Sequence, residues 1–186
     1  MLYIVRHGRT EVNAAGKLLG RSDPELDETG RKQARDLANR LGEIDLVISS
    51  PLKRTMETAS YISSTVETDT RWLELDYGTL EGRPIESIDD EVWKKWRSDV
   101  HWAPDEGESL EALGIRVSEA CEEVAEISKD REVVVVTHVS PVKAALAWVL
   151  GLNDGVAWKC YVSPGSSTAI KMSPYGPVLQ NFNLVN

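Results

Sequence analysis

Of the three histidines in this chain, two close apolar runs. Leu2-Tyr-Ile-Val5 is a short stretch of strand formers that stops abruptly on Arg6-His7-Gly8. An imidazole and a guanidinium at the end of a buried strand suggest an anion site, with Gly8 letting backbone approach a ligand. A charged pair in a solvated loop would look the same. Glu132-Val-Val-Val-Val-Thr-His138 repeats the pattern, and a helical segment follows it. Continuous valine runs suit strands covered on both faces, as in parallel sheets with helical crossovers. Open α/β sheets bind ligands beyond the carboxyl ends of their strands. If the two strands are neighbours, His7 and His138 face one pocket from the same edge.

The elements that would position these groups follow in order. Gly20-Arg-Ser-Asp-Pro-Glu-Leu26 is a turn-rich approach to a helix capped by Asp27. Ala34, Leu37, Ala38 and Leu41 share one face of that helix, and Gly42 ends it. Asp45-Leu-Val-Ile-Ser49 reads as a second buried strand. Ser50-Pro51 predicts a helix start, serine as N-cap and proline in the first position. Arg54 lies about one turn further on, where by itself it would be read as a surface arginine. Val66 to Asp69 predicts a short strand leading to residues 71–82, where Glu74, Asp76 and Glu81 compete for any acid–base role.

Pro84 to Gly107 is the least regular part, with Trp93, Trp96 and Trp102 among many charges, and His101 reads as surface. The tryptophans either hold a miniature core together, the favoured reading, or recognise an organic ligand. Ser109 is a natural N-cap for a helix striped by Leu110, Leu113, Val117, Cys121 and Val124. After His138, Ser140 and Pro141 predict an N-cap and first helical position, with Val142, Ala145, Leu146 and Val149 on one face as far as Gly151. That puts His138 beside the positive end of a helix dipole. Ser167 to Met172 and Pro177 to Leu184 alternate as two strands that would close the sheet.

Four motifs in register resemble the histidine phosphatase superfamily, in its phosphoglycerate-mutase-like branch: Arg6-His7-Gly8, Arg54 within Ser50-Pro-Leu-Lys-Arg-Thr-Met-Glu-Thr-Ala59, Glu74-Leu-Asp-Tyr-Gly78, and His138. The similarity runs from residue 2 to roughly residue 150. It implies a three-layer α/β/α sandwich with a mostly parallel central sheet, in one domain over 1–186, with a small helical cap at about 84–109. It further implies a phosphohistidine on His7. Glu74 would serve as general acid and base, with Asp76 as substitute, and Arg6, Arg54 and a protonated His138 as the surrounding cations. Arginine forks suit tetrahedral oxyanions. Asn13 matches a further phosphate contact, and Gly8, Thr10, Gly20, Arg21 and Val139 complete the expected binding set. Most members have His-Gly where this chain has His138-Val139; valine serves only if no positive φ is needed there. The variant is similar to acid-phosphatase and α-ribazole-phosphatase-like domains. Gly107-Glu-Ser109 resembles a Gly-Gly-Glu-Ser stretch of relatives, with Glu106 in place of the first glycine.

Composition narrows the partners. The chain has 186 residues, 41% hydrophobic and 27% charged, with a net charge of −9. That is ordinary for a globular domain with a real core. The negative balance argues against nucleic acid and anionic membrane as partners. Positive charge must then be concentrated at the site, with Arg6, Arg9, Arg21 and Arg54 as candidates. A strand beginning at Leu2 leaves no room for a secretory signal, and no apolar run is long enough to span a bilayer. The two cysteines, Cys121 and Cys160, form no disulfide framework, so a reducing cytoplasm is expected. No cofactor or metal is expected, since no carboxylate cluster would hold magnesium. A homodimer is the ordinary expectation for the assembly.

The expected activity is metal-independent hydrolysis of a small phosphorylated metabolite. Two alternatives remain: a mutase returning the phosphoryl group to its substrate, and a non-catalytic phosphate-binding module. Mutases of the superfamily are generally longer. Binding alone would need neither the nucleophile nor the acid.

Overall fold

The computed structural model describes residues 1–185. Six strands form one sheet: β1 (Leu2–Arg6), β2 (Leu46–Ser49), β3 (Glu67–Thr68), β4 (Val133–Thr137), β5 (Ser167–Ser173) and β6 (Gly176–Leu184). Their spatial order is β3-β2-β4-β1-β5-β6. The first four of these run parallel, while β5 pairs antiparallel with β1 and β6 antiparallel with β5. The valine run of β4 is the most central, flanked by β2 and β1 and buried at every position. Among the described residues six α-helices accompany the sheet: α1 (Glu11–Ala14), α2 (Glu28–Leu41), α3 (Lys53–Ser60), α4 (Asp90–Ser98), α5 (Leu110–Ile127) and α6 (Val139–Leu150).

Strand side chains alternate between faces, and the core divides accordingly. Leu2, Ile4, Val133 and Val135 pack with α5 and α6 residues such as Leu113, Val117 and Val142. Val5, Val134 and Val136 pack instead with Leu37, Leu41 and Ala59 of α2 and α3. The result is the expected three-layer α/β/α arrangement. The 84–109 region holds α4 and adds Ile88 and Trp96 to the larger core, so it is anchored to the body.

Two predicted helix starts move. Ser50 and Pro51 precede a helix that begins at Lys53 with Leu52 as N-cap, and Ser50 is free for another task. The helix after β4 starts at Val139, with His138 itself as N-cap, so Ser140 and Pro141 lie inside the first turn. Asp27 and Ser109 cap their helices as expected, accepting from Gly30 and Ala112 amides. Short α1 was not anticipated; Thr10 and Asn13 close it as a reciprocal capping box.

Strand register brings the chemistry together. Arg6 pairs with Thr137 across β1 and β4, and Ser49 with Val136 across β2 and β4. The next residues, His7, His138 and Ser50, therefore leave the sheet at one carboxyl edge. His7 still donates its amide to Thr137 O at 2.9 Å, and Ser50 to Val136 O at 3.0 Å.

Candidate active site

His7 is 2% exposed, and its two nitrogens are in different circumstances. Nδ1 lies 2.6 Å from Gly8 O, a contact that requires a proton on Nδ1. Nε2 receives a hydrogen bond from Arg54 Nε at 3.2 Å, a contact that requires a lone pair there. One neutral tautomer satisfies both. Burial, then the Arg54 and Arg6 charges, hold the His7 pKa well below the usual histidine range.

Arg54 projects from the first turn of α3 and is fully buried, so the surface reading fails. Its terminal nitrogens donate to Ser22 O and Gly20 O, both at 2.6 Å. Arg6 Nη1 donates to Val162 O at 2.6 Å, while its buried Nε has no partner among the described residues. All of these partners are carbonyls or an imidazole, so among the described residues no carboxylate pairs with either charge. The fork of Arg54 is not free at both tips in this state, as a purely bidentate phosphate clamp would need.

His138 is fully buried with its ring edge-on to His7, centroids 5.1 Å apart. Its Nε2 shares a 2.8 Å hydrogen bond with Ser50 Oγ, and Nδ1 is unpartnered among the described residues. Burial first, then Arg54 and His7, push its pKa well below the ordinary value. Those surroundings favour the neutral ring, whereas the resemblance implies a protonated His138.

Glu74, the acid chosen over Asp76 and Glu81, is 2% exposed. Its Oε1 accepts from the Leu75 and Ser140 amides at 2.8 and 3.1 Å, and Oε2 from the Val139 amide at 3.1 Å. A carboxylate at the amino end of α6 is where helix amides and dipole favour it. Arg116 of α5 steadies the segment, donating to Arg71 O at 2.6 Å and Glu74 O at 3.3 Å. Thr137 Oγ1 donates to Trp72 O at 2.6 Å. Gly78 has a φ of +50, and a side chain there would collide with Asp105 O at 2.0 Å.

The remaining expected contacts divide. Gly8 lies against the α2 backbone: a Cβ there would lie 2.3 Å from Gly30 O, and its amide donates to Thr58 Oγ1 at 3.1 Å. Thr10 is fully buried and spent on the cap, where its amide and hydroxyl hold Asn13 Oδ1. Gly20 donates its amide to Glu81, and Arg21 lies 3.5 Å from both Asp76 and Glu108. Val139 needs no positive φ, and its amide serves Glu74 in this state. Arg9 belongs elsewhere, paired with Asp27 at 2.7 Å.

Sequence reasoning missed Ser50 and Ser140 as site residues by treating both as helix caps. Each follows a strand at the occupied sheet edge, which was the available signal. Trp158 was also missed. It joins Trp93, Trp96 and Trp102 in one aromatic cluster, with Trp93 and Trp96 stacked 5.7 Å apart. Trp96 is 1% exposed, a core residue, yet it also lines a cavity beside Glu74. The two readings of the tryptophans thus coexist. His101 is exposed and contacts Glu111 at 2.8 Å. Among the described residues no three His, Cys, Asp or Glu side chains are grouped to hold a metal ion, and no helix is long and apolar enough to cross a membrane.

The model of the histidine phosphatase superfamily (branch 1) matches residues 2–185. Phosphoserine phosphatase 1 of Hydrogenobacter thermophilus is 33% identical, over 98% of this chain and 92% of its own. Probable phosphoglycerate mutase GpmB of Yersinia pestis is 37% identical, over 81% and 75%. A mutant phosphoserine phosphatase from Entamoeba histolytica, solved with phosphoserine, superposes with a TM-score of 0.92 at 27% identity, covering 99% of this chain and 96% of that one.

Proposed function

The chain belongs to branch 1 of the histidine phosphatase superfamily and is a phosphoric monoester hydrolase, and we propose that it hydrolyses a small phosphorylated metabolite through a phosphohistidine on His7. The observation that carries this reading is the state of one nitrogen. His7 Nε2 keeps its lone pair among cations, while Nδ1–H is fixed on Gly8 O.

In the first step Nε2 forms a bond to phosphorus as the ester P–O bond breaks. Arg54 and Arg6 stabilise the charge on the phosphoryl oxygens, the main catalytic demand of this reaction. Glu74 gives a proton to the departing alkoxide. In the second step Glu74, now a carboxylate held by backbone amides, takes a proton from water. That water attacks phosphorus, releasing phosphate and the free imidazole. Asn13 supplies a further donor: Thr10 occupies its oxygen, leaving the amide nitrogen for the phosphate.

His7→Ala is expected to abolish both turnover of p-nitrophenyl phosphate and the phosphoenzyme seen by intact-protein mass measurement. Substantial activity in that variant would refute the assignment.

A further inference from the structure

Next to Glu74 lies a cavity of about 220 Å³. Trp93, Trp96 and Trp158 form an aromatic wall, and Leu18 and Leu110 add aliphatic surface. Leu75, Val139 and Ser140, whose amides hold the Glu74 carboxylate, also border it. Lys143 is the only charged residue in this lining.

An ammonium group in such surroundings is costly unless something satisfies it. Lys143 Nζ donates to Ala157 O at 2.7 Å, its one hydrogen bond among the described residues, and no carboxylate pairs with it. Burial lowers the Lys143 pKa; Cys160 and Glu74 partly oppose that, and Arg6 adds to it. Two of its three protons have no acceptor among the described residues, in a cavity whose other lining is mostly rings and aliphatic carbon, with the Tyr77 and Ser140 side chains as its hydroxyl-bearing members.

We propose that this cavity receives the alcohol part of the substrate, and that Lys143 selects alcohols carrying a carboxylate on an apolar body. The proposal rests on the phosphatase reading, because Glu74's role as proton donor to the leaving oxygen is what places the alcohol beside it. The aromatic wall takes the apolar body, and the ammonium takes the carboxylate as a charge-assisted hydrogen bond.

The test compares ligands differing only in that group. Binding of 4-carboxybenzylphosphonate and benzylphosphonate, which cannot be hydrolysed, is measured by calorimetry. Turnover of the corresponding benzyl phosphates is followed by phosphate release. The wild-type protein is expected to favour the carboxylate member about tenfold in affinity and in kcat/KM. Lys143→Met should bring the ratio to about one, and Lys143→Arg should retain most of it. Equal affinity in the wild type, or a preference that survives Lys143→Met, overturns the proposal. Equal turnover of both esters would remove the selectivity while leaving the phosphatase reading intact. A carboxylate preference in binding without turnover would do the reverse.

Discussion

His7 must keep one nitrogen protonated and the other bare, and two contacts enforce this: a carbonyl for the first and a guanidinium for the second. Glu74 has the complementary task, delivering one proton and recovering another. Glu74→Gln preserves an oxygen that can accept from the same amides but cannot shuttle protons. It should lower kcat for alkyl phosphates by about 100-fold or more, the usual scale for losing a general acid. The loss should be under about tenfold for p-nitrophenyl phosphate, whose leaving group needs little protonation. Equal losses on both substrates would move the proton donor elsewhere. Asp76 is the poorer candidate on geometry, since it already caps the turn at Gly78 and lies 3.5 Å from Arg21.

At the scale of elements, the site depends on how segments begin and turn. Starting α6 at Val139 turns two amides toward Glu74, which a start two residues later would not. Glycines act here as spacers: Gly8 against Gly30 lets the loop after β1 lie on the first turn of α2. The turn before α5 is less comfortable. Glu106 has a φ of 61, in the left-handed region, at the position where the resembling stretch has glycine. Left-handed backbone costs a non-glycine residue roughly 1–2 kcal/mol. Replacement by glycine regains part of that and loses some through the freer unfolded chain. Glu106→Gly is therefore expected to stabilise the fold by about 0.5–1 kcal/mol, read from the urea midpoint. A destabilised variant would show that the Glu106 side chain does more than occupy the turn.

Across the whole molecule, two imidazoles are buried in neutral form inside a protein of net charge −9. Each has a folded pKa below its ordinary value of 6.5, so below that pH the unfolded chain binds more protons than the folded one. Stability then rises with pH through this window and is fully present above it. Unfolding measured between pH 7 and pH 5 should show stability falling with a slope of up to two protons. The slope should be smaller in His138→Gln. A flat profile would mean that both rings are charged in the fold. Saturating phosphate should reduce the slope, because an anion beside the imidazoles favours their protonated forms.

The sequence by itself determined the buried strands and the helices between them, because apolar runs and their periods are local properties; the three-layer arrangement came with the resemblance. It also singled out His7, Arg54, Glu74 and His138, but with Arg54 and Glu74 resting on resemblance and not on spacing. Tertiary structure alone decided how the hydrogen bonds are shared. Ser50 reaches His138 across 88 positions, and Glu74 meets Val139 across 65. Gly8 came to lie against Gly30, and Lys143 to be the one charged residue lining an aromatic-walled cavity. Such pairings depend on the register of distant strands and the starting turn of a helix, which no local pattern in the chain encodes.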